Sequence, residues 1–435
     1  MRKTLAIASG EAWECEGRRG ICAAKGGLSH GVTTGASSRA STARAASGPD
    51  DARGLGPRRP LPALGAAARA VRRVQVEGRA RRASPCGGPA SGLTRFLQSA
   101  AFAAFRACAM TPRDPAPDPY QDLGHGITAI DTGYVRPRFD AAYLIVEAGR
   151  AAFVDTGINA ALPRLLGALE RHALAPEAVD YVILTHVHLD HAGAAGALMR
   201  ALPRARLVVH PRGAPHMIDR RALIAGATAV YGAEELARTY GTIEPVDDQR
   251  VLVTTDGMTL DLAGRPLLFI DTPGHARHHH CVWDERSHGW FTGDTFGLAY
   301  PELATPQGRY VLPTTTPVQF EPEALKASVQ RLLARDPACM YLTHYGRVDD
   351  VPRLAERLLE QVDAMVALAR PLAGAPERQA HLEAALGALF CERLHALGSA
   401  LDDARILELL ATDIELNAQG LGVWLDREAR ATAPG

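Results

Sequence analysis

Five short apolar runs, each ending abruptly in a polar, small-residue turn, set the rhythm of the chain between residues 150 and 346. Residues 151–154, 181–184, 267–270, 290–291 and 340–342 carry only aliphatic and aromatic side chains, the pattern of a strand buried on both faces. Helical spacing follows over 161–174, 192–202 and 322–333, so strands precede helices in two halves, 127–211 and 257–346. That order predicts an α/β fold in which two sheets lie face to face with helices outside them, four layers in all. Beyond Asp349 the pattern turns helical throughout, over 351–369, 376–397 and 401–416. There Leu354, Leu358, Val362, Met365 and Val366 fall on one face that must be buried. It would pack on the sandwich, cover a pocket or form a homodimer contact. Residues 111–350 are thus expected to form the α/β domain and 351–435 a helical region.

The turns carry chemistry. Thr185-His186-Val187-His188-Leu189-Asp190-His191 places three imidazoles and a carboxylate within six residues, directly after an apolar run. In an extended segment residues i and i+2 point to the same side, so His186 and His188 can grip one cation. Asp190 and His191 fall at the entrance of the next helix, where the turning chain can aim them at a second cation. Four other turns each add one metal-competent side chain: Asp155 in Asp155-Thr156-Gly157, His275 in Thr272-Pro273-Gly274-His275, Asp294 in Thr292-Gly293-Asp294, and His344 in Thr343-His344-Tyr345-Gly346. Neutral imidazole with carboxylate suits Zn, Fe, Mn and similar divalent ions.

These strand-and-turn motifs, in this order, resemble the metallo-β-lactamase superfamily of metallo-hydrolases, across roughly residues 122 to 350. The resemblance implies a four-layer αββα sandwich of that type, followed here by a C-terminal helical extension. It implies that His186, His188 and His275 hold one ion, that Asp190, His191 and His344 hold the other, and that Asp294 bridges them. Asp155 matches an acidic residue that supports the ligands without binding metal, the role a ligating imidazole requires on its other ring nitrogen. Two divalent ions about 3.5 to 4 Å apart would share and acidify a water and polarise the scissile carbonyl or phosphoryl oxygen. Asp190 would be the catalytic residue, orienting that water or accepting its proton. Zn is the expected ion, with Fe and Mn as alternatives.

Departures from subfamily patterns narrow the field. Flavo-diiron oxygen reductases carry Glu at the place of His188 and append a flavodoxin module, and true β-lactamases lack a bridging aspartate. What remains is the glyoxalase II-like group with its thioesterases, lactonases, ribonuclease Z-like phosphodiesterases and mono-iron persulfide dioxygenases. The expected function is dinuclear hydrolysis of a small ester, thioester or lactone. A mono-iron, persulfide-dioxygenase-like oxygenase and a ribonuclease Z-like phosphodiesterase are the alternatives. Nothing after His344 matches the glutathione-thioester recognition segment of glyoxalase II. Candidate contacts to a small-molecule substrate are Tyr134 and Arg136, in the loop after the first predicted strand, and Tyr345 and Arg347, beside the last ligand. Residues 297–320 form an irregular stretch expected to wall the pocket, with Tyr300 and Tyr310 as its contacts. His278, His279 and His280 are read as ordinary strand residues.

Charge adds a boundary. Residues 1–110 hold 18 Lys and Arg against 6 Asp and Glu, net +12, while the rest holds 30 against 42, net −12, so the overall zero hides two opposite segments. The basic segment is rich in Ala, Gly, Arg, Ser and Pro without sustained periodicity, a disordered composition in which only 92–109 suggests a short helix. It reads as sequence upstream of a functional start at Met110, with a basic nucleic-acid-binding tail as the alternative. The acidic remainder argues against a nucleic-acid partner. No apolar stretch reaches membrane-spanning length, so no membrane association is expected. Seven cysteines without metal or disulfide spacing favour free thiols and a cytoplasmic setting.

Overall fold

The alternation of inward and outward side chains along the strands builds two sheets. The structure, a computed structural model, describes residues 118–315 and 318–432. The basic segment and the short helix expected over 92–109 lie outside them. The first sheet holds β1 (Tyr120–Asp122), β2 (Ile127–Asp131), β3 (Ala141–Glu147), β4 (Arg150–Val154), β5 (Val179–Ile183), β6 (Arg206–Val209) and β7 (Val251–Val253), in sequential order. Its first four strands form an antiparallel meander, and Ala148 and Gly149, at φ 45° and 76°, make the tight β3–β4 turn. From β4 to β7 the pairing is parallel, as connections that cross the sheet face require. The second sheet runs in the order β13 (Gly346–Val348), β12 (Cys339–Leu342), β11 (Gly289–Gly293), β10 (His280–Asp284), β9 (Arg265–Asp271) and β8 (Thr259–Leu262).

Helices cover both outer faces. The first sheet carries α1 (Leu162–Arg171), α2 (Leu189–Ala192) and α3 (Ala195–Ala201), followed after β6 by α4 (Ala214–Ile218), α5 (Arg221–Tyr231) and α6 (Ala233–Tyr240). The second carries α7 (Pro322–Leu333) and α8 (Val351–Ala369). Ala142 and Leu144 of β3 pack outward with Leu165, Leu169 and Leu198, while Tyr143 and Ile145 pack inward with Phe269, Val282 and Phe291 of the other sheet. A third core joins Trp290 and Met340 to Val329, Leu332, Leu354 and Leu358. Three apolar interfaces between four layers are the expected αββα sandwich. One expectation needs correcting: the helix over 192–202 begins earlier, because the histidine-rich turn itself closes into α2 before α3 starts.

The apolar face after Asp349 is divided, Leu354 and Leu358 packing on the sandwich and Val362, Met365 and Val366 against the helices that follow. The chain continues as α9 (Arg378–Ala396), α10 (Asp403–Leu409) and α11 (Ala411–Thr432). The helix expected over 401–416 is therefore two, entered through Asp402, whose carboxylate accepts from the Arg405 amide, and broken at Leu410. Leu382, Leu386, Phe390, Leu421 and Trp424 share a core with Tyr300, Leu303, Tyr310 and Phe320 of the segment following β11. That segment is pinned by hydrogen bonds from the Tyr310 hydroxyl to Gln361 at 2.6 Å and from the Thr315 amide to Asn417 at 2.8 Å. No described helix is long and apolar enough to cross a membrane.

Candidate metal centre

Every ligand-type side chain stands where a strand stops. Asp155 follows β4, His186 to His191 follow β5, and His275, Asp294 and His344 follow β9, β11 and β12. Because β4 and β5 belong to one sheet and the others to the second, the seam between the sheets brings them together. His186, His188, His275 and Asp294 offer ligand atoms all within 4.8 Å of one another, and Asp190, His191 and His344 do the same.

In the first cluster, His188 Nδ1 lies 2.7 Å from His186 Nε2 and 3.2 Å from His275 Nε2. In the second, Asp190 Oδ2 lies 3.4 Å from His344 Nε2 and 4.0 Å from His191 Nε2. Asp294 divides itself between them. Its Oδ2 is 3.2 Å from His275 Nε2 and 4.0 Å from His186 Nε2, while its Oδ1 is 3.3 Å from His191 Nε2 and 3.7 Å from His344 Nε2. Both Asp294 Oδ1 and His191 Nε2 are buried with no hydrogen-bond partner among the described residues. Imidazole and carboxylate left unsatisfied and converging are a donor set that fits divalent cations.

Buried supports fix the rings. Asp155, in the left-handed region at φ 56°, accepts from the Thr185 amide, the Thr185 and Thr343 hydroxyls and His191 Nδ1, each at 2.8 Å in its closest contact. The Nδ1 atoms of His275 and His344 each lie 3.2 Å from a backbone carbonyl, of Thr314 and Phe139 respectively. The Asp294 amide donates to His279 Nε2 at 3.2 Å, and His279 Nδ1 is held by the Thr272 hydroxyl at 2.9 Å. His279 thus orients Asp294, and neither it, His278 nor His280 belongs to either cluster. Sequence reasoning also missed Asp140, a fully buried carboxyl bonded to the Thr132 hydroxyl at 2.8 Å. Burial raises its pKa to about 7 against the pull of His344 and His191.

The electrostatics divide in the same way as the geometry. Burial and mutual repulsion press His186 well below its usual value, His188 to about 3 and His275 downward. Burial also opposes charge on His191 and His344, but there the carboxylates win. Asp294, Asp155 and Asp190 hold His191 well above its ordinary value, and Asp294 with Asp190 lift His344 to about 9. Despite burial, Asp190 and Asp294 are held below the usual carboxylate range, chiefly by His191. His188 and Asp190 are half-buried whereas the other five are buried, so the clusters open toward solvent on that side.

Each of the four expected substrate contacts has a partner within the protein. The Tyr134 hydroxyl lies 3.0 Å from that of Tyr240 in α6. Arg136 pairs with Glu302 at 2.7 Å and lies over the rings of Phe139 and Tyr300 at 4.6 and 4.7 Å. Tyr345 is part of the inter-sheet core, and Arg347 pairs with Asp349 at 2.9 Å. Tyr300 and Tyr310 are buried under the C-terminal helices, where Tyr300 donates to Asp413 at 3.1 Å. Leu298 to Leu312 of the 297–320 stretch pack between the sandwich and those helices.

Comparison with known proteins gives one family match and several similar proteins. The family model described as Metallo-beta-lactamase superfamily matches residues 135–344. A metallo-beta-lactamase fold-containing protein of Sulfurisphaera tokodaii is 27% identical over 242 residues, 54% of this chain and 84% of its own. An atrochrysone carboxyl ACP thioesterase of Aspergillus fumigatus is 29% identical over 117 residues, 27% of each chain. Among solved structures, an archaeal metallo-beta-lactamase superfamily protein from Sulfolobus tokodaii aligns with a TM-score of 0.49 at 24% identity, covering 68% of this chain and 98% of that one.

Proposed function

Residues 135–344 being a metallo-beta-lactamase superfamily domain, we propose that the chain is a dinuclear metal-dependent hydrolase of a small ester, thioester or lactone. One observation carries the reading: the two oxygens of Asp294 are shared between the clusters, Oδ2 with His186 and His275, Oδ1 with His191 and His344. In this reading His186, His188 and His275 hold one ion, Asp190, His191 and His344 the other, and Asp294 belongs to both. Two such ions, Zn or alternatively Fe or Mn, would supply an acidified water and a Lewis acid for the carbonyl oxygen.

The chain's own residues do the rest. Asp190, ionised and half-buried beside His344, would orient the attacking water or accept its proton on the open side of the site. Asp155 keeps Nε2 of His191 free by engaging Nδ1, and His279 fixes the backbone of Asp294. Buried walls on the other sides keep bulk water out, so substrate approaches past His188 and Asp190. The likeness of a quarter of the chain to a named thioesterase supports the acyl-transfer class. Buried free Cys281, Cys339 and Cys391 support a reducing, cytoplasmic setting.

The test is metal analysis of the protein as isolated, run beside thioester, lactone and phosphodiester hydrolysis. About two Zn or Mn per chain with acyl hydrolysis is expected. One Fe with oxygen uptake, or phosphodiester cleavage alone, would replace this reading with one of the alternatives.

A further inference from the structure

The fold buries two arginines among its described residues, Arg265 and Arg220, and treats them differently. Arg265, on β9, gives Nε and Nη2 to the two oxygens of Asp284 at 2.7 and 2.6 Å and Nη1 to the His125 carbonyl at 2.7 Å. Arg220, between α4 and α5, is 4% exposed and makes one long bond, from Nε to the Met217 carbonyl at 3.4 Å. Its Nη1 and Nη2 are both buried and bond to nothing among the described residues. The carboxylate that acts on it electrostatically, Glu244, forms its ion pair with Arg200. Burial lowers the Arg220 pKa only to about 10, so the guanidinium is charged at neutral pH. A buried charge without a partner is strongly unfavourable, and folds that keep one supply the opposite charge from somewhere.

The place of Arg220 indicates where that charge comes from. His216 of α4, four residues earlier, has its ring 6.4 Å from His278, whose ring is 5.4 Å from that of His188. On the other side of Arg220, Leu223, Ile224 and Ala227 of α5 pack against the cluster containing Leu189, which lies between His188 and Asp190 in the chain. The α4–α5 corner therefore flanks the open side of the candidate metal centre.

We infer that Arg220 is a binding site for an oxyanion, a carboxylate or phosphate group, carried by the substrate of that centre. The planar fork of the guanidinium offers Nη1 and Nη2 together, the geometry that takes two oxygens of one such group. The inference rests on the hydrolase reading for the carrier of the anion, and not for the anion itself.

The full-length protein as isolated and its Arg220→Met variant test this in two ways. Melting is followed with and without succinate or inorganic phosphate, which also separates carboxylate from phosphate. The anion is expected to raise the melting temperature of the unaltered protein more than that of the variant; any anion held by the metal centre is common to both and cancels. Without added anion, Arg220→Met should melt no lower than the parent, because an unpaired buried charge has been replaced by an apolar chain. In kinetics, a succinyl thioester should be favoured over a butyryl thioester by about tenfold in kcat/KM, the worth of one charge-assisted pair. That preference should vanish in Arg220→Met and survive in part in Arg220→Lys. Equal anion effects in parent and variant, or a variant that melts lower without anion, overturn the assignment. If neither thioester is hydrolysed, the thioester form of the hydrolase reading fails, while the melting comparison still decides for Arg220.

Discussion

His186, His188 and His275 face one another with a single oxygen of Asp294 among them, whereas His191 and His344 share Asp190 and the other oxygen of Asp294, and His191 has Asp155 as well. The first cluster is therefore three neutral bases that compete with protons hardly at all. The second is a nest of carboxylates that draws protons onto its imidazoles. The difference teaches that two adjoining clusters built from the same residue types can be electrostatically unlike. The carboxylates set the behaviour: Asp294 and Asp190 for both imidazoles of the second cluster, and Asp155 for His191 in addition.

Removing the shared residue should do the most damage to this division. Asp294→Asn is expected to empty both clusters and lower turnover by more than about a hundredfold, beyond what loss of a supporting residue produces. Metal analysis that still finds two ions in that variant would contradict the sharing. Next in size, His188→Ala and His344→Ala should each lose one ion and keep the other. Metal titration by calorimetry distinguishes this from a collapse of both sites.

A smaller effect isolates the support. Asp155→Asn should weaken metal binding by about 10- to 100-fold in the second cluster and leave the first unchanged. Equal weakening of both would show that Asp155 holds the fold rather than His191. Smallest is a pH effect with a definite sign. His344 in the metal-free protein titrates near 9, so below that pH an ion must displace its proton. Affinity of the second cluster should climb, by at most about tenfold per pH unit for each proton displaced, as pH rises from 7 toward 9. The first cluster, already neutral at pH 7, should show no such climb. Proton release on metal addition, followed in weak buffer, reads both.

Much of this arrangement was legible in the sequence because the ligand-type residues fall where apolar runs end. Strand ends are local features, and the seven metal-competent residues at four of them, with Asp155 at a fifth, could be named before any packing was known. The helical layers were equally legible from periodicity. The supporting residues were not. His279 reads as a strand histidine in Ala276-Arg277-His278-His279-His280, and only the approach of the Asp294 amide, 15 residues away, gives it a role. Asp140 has no local signature at all; its burial follows from the way the β2–β3 loop folds under His344. The expected contacts Tyr134, Arg136, Tyr345 and Arg347 carry apt chemistry, yet their partners are chosen by long-range packing that no spacing reveals. Arg220 passed unnoticed because an arginine before a helix ordinarily points to solvent.

Asp155 joins the hydroxyls of Thr185, at the end of one sheet, and Thr343, 188 residues downstream at the end of the other. That bond cannot form until nearly the whole sandwich has been synthesised. During translation the histidine-rich turn emerges long before the residues that complete it, so the cleft is finished only when the last strands dock. Capture of ions would then be one of the closing events in the life of the nascent chain, and a ribosome stalled before Thr343 would hold a protein unable to load its second cluster.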